Sequence, residues 1–327
     1  MALPRIAIAL GDPAGIGPEI ALKAALSDQV RSVCVPVLVG DRGALDMHAA
    51  ACGLKPSVVS IRAADARSTT LDPDMVAMIA LRHFAPGELI LGRTSAASGR
   101  AILDAGETAI RAALAGHVDA VVAAPQTETA VKATGVAFDG YPSFVARITG
   151  VPTDDAFLML CFDRTRIVHV TLHVSVRRAL ELLTTERVER AIRATATALR
   201  RLGISDPRIA VSGLNPHAGE DGMFGDEEAV LIAPAIARAA RDGLKVDGPF
   251  GADTMFHKPG YDAFVVMLHD QGHVAAKALA PNRAAGMTIG TPVLFSSVAH
   301  GSALDIAGKN LARPDAVIEA VRRLAAC

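Results

Sequence analysis

Short apolar runs, each about the length of one strand, recur along this chain with helical patterns between them, and this alternation limits the folds open to it more than any other feature. IAIAL (6–10), AVVAA (120–124) and FVVML (264–268) each suit a strand buried on both faces. After IAIAL comes the loop GDPAGIG (11–17), then a helix opened by Pro18, a residue suited to the first helical position. VPVLVGD (35–41) reads as a second strand. From Ala101 to Leu114, Ile102, Ala105, Ala109, Ile110 and Leu114 fall at helical spacing, and Gly116 closes the pattern before the strand DAVVAAP (119–125). Residues 185–202 place Val188, Ile192, Leu199 and Leu202 on one stripe, Gly203 stops it, and the strand RIAVSGL (208–214) follows. Repeated β–α alternation predicts an α/β fold with a mainly parallel sheet covered by helices on both faces. The 327 residues would stretch a single doubly wound sheet, so two domains are expected.

The apolar fraction is 51% and the mean hydropathy +0.33, yet no uninterrupted apolar run approaches the roughly 20 residues of a bilayer span. The hydrophobicity therefore belongs to a core. A net charge of −1 with no basic block argues against nucleic acid as a partner. Cys34, Cys52, Cys161 and Cys327 show no CxxC spacing, which fits a reducing compartment and no cysteine zinc site. The start MALPRIAIALGDP lacks the features of a signal peptide, so a cytoplasmic location is expected.

Histidines mark the ends of three strand patterns. RIVHVTLH (166–173) ends in His173, RIAVSGLNPH (208–217) in His217, and YDAFVVMLH (261–269) in His269. Ligands of open α/β sheets sit beyond the carboxyl ends of strands. Three imidazoles delivered there can converge on one metal and leave positions open for substrate. Each histidine taken alone is more often a hydrogen-bonded loop residue than a ligand; the shared position is what suggests a metal. His169 lies inside its strand and reads as structural. His48, His83 and His117 read as surface residues of helical patterns, and His257 and His273 lack a strand-end position.

Two glycine-rich segments suit close backbone approach to a ligand. GDPAGIG departs from the GxGxxG fingerprint, and no acidic residue ends a second strand at the distance that fingerprint needs. It fits a tight strand-to-helix turn, or an anion site at the helix start. HGSALDIAG (300–308) follows the strand PVLFSSV (292–298) and suits a flat or phosphorylated ligand.

GDPAGIGPE (11–19), NPHAGE (215–220), GPFGADT (248–254), HDQG (269–272) and HGSALDIAG, in this order over almost the whole chain, resemble the PdxA family, named for 4-hydroxythreonine-4-phosphate dehydrogenase. The last motif also resembles the adenosine-binding loop of isopropylmalate dehydrogenases. The resemblance implies two α/β/α domains like those of isopropylmalate and isocitrate dehydrogenases, an active site in the interdomain cleft, and a homodimer with the site at its interface. The expected domains are 1–130 plus 285–327, with the nucleotide loop, and 131–284, with the metal ligands. His173, His217 and His269 match the family's ligands for a divalent ion (Zn, Mg, Mn or Co), and Lys277 matches its active-site lysine. His300, Gly301, Ser302, Ala303, Asp305 and Gly308 would lie against NAD or NADP.

The sequence also departs from that pattern. The family's substrate motif GHTE reads GYPS (140–143), a substrate-binding asparagine becomes Gly286, and a phosphate-clamping arginine becomes Phe295. An arginine fork binds phosphate bidentately, while phenylalanine offers an apolar face. Tyr141, Pro142, Ser143, Asn282, Gly286 and Phe295 form the expected substrate set, better suited to a planar ring than to a phosphate. GYPS, RIVHVTLH, MLHDQGH (267–273) and LAPN (279–282) resemble the family's terephthalate cis-dihydrodiol dehydrogenase branch. Either substrate class carries a hydroxyl β to a carboxylate, so the resemblance implies oxidation by NAD with loss of carbon dioxide, a metal acting as Lewis acid. Lys277 would move protons, and Asp253 and Asp270 would assist. Outside this class stand a metal-dependent hydrolase and a non-catalytic binding protein, which NAD titration distinguishes from a dehydrogenase.

Overall fold

The computed structural model describes residues 3–72, 74–280 and 284–326, and its contacts divide the chain into two units. The first comprises Met1–Phe138 and Pro292–Ala326. Its strands are β1 (Arg5–Ala9), β2 (Val35–Asp41), β3 (Ser57–Ile61), β4 (Met75–Leu81), β5 (Ala120–Ala123) and the last of the chain, β12 (Leu294–Val298). They lie in the order β3-β4-β2-β1-β5-β12, every neighbouring pair parallel. Its helices are α1 (Gly17–Leu26), α2 (Asp28–Arg31), α3 (Arg42–Ala51), α4 (Ala96–Leu114), α5 (Glu128–Lys132) and, near the C-terminus, α11 (Asp315–Ala325). Ile6, Ile8, Leu38 and Val121 are fully buried, as strands covered on both faces require. The chain leaves β1 for β2 on one side and returns to β5 on the other, so the order reverses between β1 and β5. Ligand crevices of open α/β sheets form at the carboxyl side of that point.

β2 does end in an acidic residue, Asp41. Its carboxylate is occupied: Oδ1 caps α3 by accepting from Ala44 N at 2.8 Å, and Oδ2 accepts from His83 N at 2.6 Å. It therefore differs from the ribose-binding acid of the GxGxxG fold. His48 corrects the expectation of a surface residue, being fully buried on α3 with Nε2 2.9 Å from Pro13 O. His83 is also largely covered, its Nε2 3.0 Å from Asp104 Oδ2.

The second unit is Asp139–Thr291. Its strands are β6 (Phe157–Phe162), β7 (Thr165–His169), β8 (Arg208–Ser212), β9 (Lys245–Phe250), β10 (Ala263–Val266) and β11 (Ala285–Ile289), in the order β11-β6-β7-β10-β8-β9. β6 runs antiparallel to β7 and β11, while β7, β10, β8 and β9 are mutually parallel. The helices are α6 (Tyr141–Thr149), α7 (Val176–Leu182), α8 (Thr185–Arg201), α9 (Ala233–Arg241) and α10 (His269–Leu279). Thr184 caps α8, accepting from Arg187 N, and the helix buries Val188, Ile192 and Leu199 on the stripe expected from sequence. Each such burial contributes about 1.5–3 kcal/mol. Among the described residues no helix is long and apolar enough to cross a membrane.

Candidate active site

The parallel strands β7, β10, β8 and β9 each release, at their carboxyl ends, a loop or helix carrying one of the expected site residues. His173 follows β7, His269 and Asp270 open α10 after β10, His217 follows β8, and Asp253 follows β9. Because β7-β10-β8 are neighbours, the three histidines leave successive strands of one sheet. β7 ends at His169, four residues short of His173, although Val170 N and Thr171 N still bond to Val266 O and Met267 O.

Every residue of HDQG has a distinct task. His269 is one-third exposed and its Nδ1 lies 2.7 Å from Asp270 Oδ1, a bond that fixes the ring and holds the Asp270 carboxyl below its ordinary range. Gln271 Oε1 accepts from Met267 N and Leu268 N, both at 2.9 Å, closing the strand-to-helix turn. Its Nε2 donates to Gly213 O at 3.1 Å and so ties α10 to the loop that carries His217. Gly272 is where buried His169 meets the helix, since a Cβ there would collide with His169 Nε2. Gly272→Ala is expected to cost about 1–3 kcal/mol, the usual penalty of overpacking. Denaturant unfolding measures it, and a loss below about 0.5 kcal/mol would show that His169 yields freely.

The site gains a residue that the strand-end argument left aside. His273 stacks on His269 with ring centroids 3.7 Å apart and planes 7° from parallel. The signal was present, because residues four apart share a helix face. Burial, with help from the neighbouring His269, pulls the His273 pKa down to about 4. Burial likewise pulls His169 down to about 3. His173 stands 5.5 Å from His269, ring to ring, and its Nδ1 lies 3.0 Å from Asp139 O. Asp139 precedes the GYPS turn, so the substrate motif and His173 are joined directly. Lys277 is exposed on α10, four residues beyond His273, near enough for its charge to act on His273 and Asp270.

His217 sits in an unusual backbone. From His217 to Gly222 all six residues, His217, Ala218, Gly219, Glu220, Asp221 and Gly222, have positive φ, between 42° and 90°. Left-handed backbone costs a non-glycine residue roughly 1–2 kcal/mol. The buried Glu228 carboxylate beside this run accepts from Leu214 N and Asn215 N. Burial alone would raise its pKa, but those bonds prevail and keep it low. The His217 ring packs 6.2 Å from Phe224, and a side chain at Gly251 would stand between His217 and exposed Asp253.

Among the described residues of the single chain, no three histidine, cysteine, aspartate or glutamate side chains are close enough to hold one ion. The donor chemistry nevertheless suits a divalent cation. His173 and His269 each have Nδ1 bonded to an oxygen, which fixes the tautomer and leaves Nε2 to ligate.

The described members of the expected substrate set fall on α6, β11 and β12. Tyr141 and Pro142 open α6, half-buried, and burial raises the Tyr141 phenol. Ser143 is buried and donates to Asp139 Oδ1 and to Gly140 O. Gly286 lies inside β11 opposite Leu160. Phe295 corrects the expectation of a pocket wall: it is fully buried on β12 of the first unit, opposite Val121, and presents no surface. A Phe295→Arg exchange would bury a guanidinium in the core rather than restore a phosphate clamp. Asn282 lies outside the described residues.

In the first unit the two glycine-rich segments come together at the β1/β5 reversal. Ile16 N donates to Ser302 O at 2.8 Å, and a side chain at Gly15 would strike Ser302 Cβ at 2.6 Å. Thr127, after β5, donates to buried Asp12 and lies 2.8 Å from Ser302 Oγ. Burial raises the Asp12 pKa. Ser302 is thus buried packing between loops and not an open ligand contact. His300, Gly301, Ala303, Asp305 and Gly308 retain partial or full exposure, and Ala303 (φ 40°) and Gly308 (φ 70°) bend the loop.

The family model described as pyridoxal phosphate biosynthetic protein PdxA matches residues 32–324. The chain is 41% identical over 322 residues to the 1,2-dihydroxy-3,5-cyclohexadiene-1,4-dicarboxylate dehydrogenase of a Comamonas species, covering 98% of this chain and 97% of that one. It resembles the crystal structure of a terephthalate 1,2-cis-dihydrodiol dehydrogenase from Burkholderia xenovorans LB400, with 40% identity, a TM-score of 0.73, and 99% and 98% of the two chains covered. It also resembles a 4-hydroxythreonine-4-phosphate dehydrogenase from Burkholderia phymatum, with 35% identity, a TM-score of 0.87, and 100% and 98% covered. Fold, motif order and these relatives agree: the chain belongs to the PdxA family and is a dehydrogenase.

Proposed function

We propose that this dehydrogenase uses NAD and a divalent metal to oxidise terephthalate cis-dihydrodiol, 1,2-dihydroxy-3,5-cyclohexadiene-1,4-dicarboxylate, to protocatechuate with loss of carbon dioxide. The observation that carries the reading is the carboxyl edge of β7, β10 and β8, where each strand delivers a histidine and two of the three already have Nδ1 engaged. When bound, NAD supplies the hydride acceptor and the cation the Lewis acid for decarboxylation. His173, His217 and His269 would hold the cation, with a second subunit completing the set in the proposed homodimer. Asp270 and the Asp139 carbonyl keep His269 and His173 oriented. Lys277 takes the proton from the substrate hydroxyl and later returns one to that same oxygen, which loss of carbon dioxide leaves as the phenolate of an aromatic ring. The exposed segment around His300, Gly301, Ala303 and Asp305 takes the adenosine of NAD.

The substrate assignment rests on Tyr141 and Pro142, which stand where the resemblance expects a phosphate-contacting His-Thr pair. Ser143, spent on Asp139 and Gly140, adds no donor there. A dianionic phosphate without partners would lose several kcal/mol of hydration. The second reading, a phosphorylated β-hydroxy acid such as 4-hydroxythreonine 4-phosphate, is favoured by the 0.87 superposition on a dehydrogenase named for that compound. NAD reduction measured with both substrates side by side separates the two. The dihydrodiol is expected to have the higher kcat/KM by at least about 100-fold, or about 2.7 kcal/mol. Equal or better turnover of the phosphorylated compound would sink the assignment, and no NAD reduction with either would point to a different hydroxy-acid substrate.

A further inference from the structure

We infer that Glu228 is a positioning residue for His217, setting the metal affinity of the site without touching the metal; the inference rests on the metal-dependent reading above. Glu228 opens a short π-helical turn, Glu228–Ile232, and is 5% exposed. Its Oε1 accepts from Leu214 N and Asn215 N, both at 2.7 Å, and its Oε2 from Asn215 Nδ2 at 3.0 Å. With N–H donors on both oxygens, the carboxylate is committed to the protein and is not a cation ligand. Its contacts bracket the entry to the left-handed run. Oε2 also lies 2.8 Å from where a Gly219 side chain would begin, so the same carboxylate touches the middle of the run. The run's own backbone bonds are all local: Ala218 N to Asn215 O at 3.1 Å, Glu220 N to His217 O at 3.4 Å, Gly222 N to Gly219 O at 3.0 Å, Met223 N to Glu220 O at 3.1 Å and Phe224 N to Gly219 O at 3.1 Å. A backbone in that conformation needs an outside anchor to stay in place. Glu228 supplies one at Leu214 and Asn215, and Gln271 Nε2 on Gly213 O supplies a second beside it.

Isothermal titration of the full-length protein with Mn²⁺ reads the effect directly. Glu228→Gln keeps the side-chain volume but turns one acceptor into a donor facing N–H groups. The Mn²⁺ dissociation constant is expected to rise about 10- to 100-fold, as for other partners that orient ligands, while NAD affinity stays within about twofold. Adding Ala218→Gly separates positioning from bulk stability, because glycine adopts left-handed backbone at little steric cost. The double variant should regain melting temperature and not Mn²⁺ affinity. Wild-type Mn²⁺ affinity in folded Glu228→Gln, or recovery of both quantities in the double variant, overturns the inference and leaves the proposed function intact. A wild-type protein that binds no divalent cation overturns both. Should Glu228→Gln fail to fold, Asn215→Ala removes the Nδ2 donor that Glu227 and Glu228 share, and unchanged Mn²⁺ affinity in that variant overturns the inference.

Discussion

His269→Ala is expected to abolish turnover and to weaken divalent-metal binding by more than the roughly 10- to 100-fold that losing an outer partner costs. The fold should survive, for physical reasons visible around the residue. The ring is one-third exposed, its one strong bond is to the exposed Asp270, and the turn before α10 is closed by Gln271, which the substitution leaves in place. Circular dichroism and NAD affinity should therefore match the wild type while metal titration and catalysis fail together. Turnover within about tenfold of wild type would take His269 out of the ligand set. The ring stacked on it, His273, would be the first candidate to replace it.

Lys277→Ala is expected to lower kcat about 100- to 10,000-fold, the usual range for a general acid or base. Its position supports the role. Lys277 follows His269 and His273 at successive intervals of four residues on α10, and its side chain is exposed and unburdened by packing. Substrate and metal affinities should change much less than kcat, because the lysine acts on protons and not on binding. Single-turnover measurements with saturating NAD separate the chemical step from product release. A loss smaller than about tenfold would return Lys277 to the ordinary surface of its helix.

Much of the architecture could be read from the sequence because it is written in local patterns. The runs at 6–10, 35–41, 120–124, 208–214 and 264–268 all fall on strands, and the 185–202 stripe is the buried face of α8. Strand-end position then brought His173, His217 and His269 to neighbouring strands. What the sequence concealed is mostly non-local. The Asp139 carbonyl reaches His173 across 34 residues, and Glu228 reaches Leu214 and Asn215 across a loop whose backbone no propensity would suggest. Two misreadings had visible signals. His48 lies on the same stripe as Ala44, Leu45 and Ala49, which marks it as core. Phe295 lies inside the apolar run PVLFSSV, where strand burial outweighs any role inferred from a family position.

The order of strands in the second unit also governs when this site can exist during folding. His173, His217 and His269 are separated by 44 and 52 residues and leave neighbouring strands only once β7, β10 and β8 are laid side by side. β10, the last of these to be synthesised, inserts between the other two, so no pair of ligand loops from β7 and β8 becomes adjacent to a third before the centre of the sheet closes. Parallel pairings of such long sequence separation form slowly, since loop-closure entropy must be met before contacts reward it. The His269–His273 pair is the exception, being local to one helix and available as soon as α10 forms. The proposed ligand set is thus a product of finished topology rather than a nucleus for it.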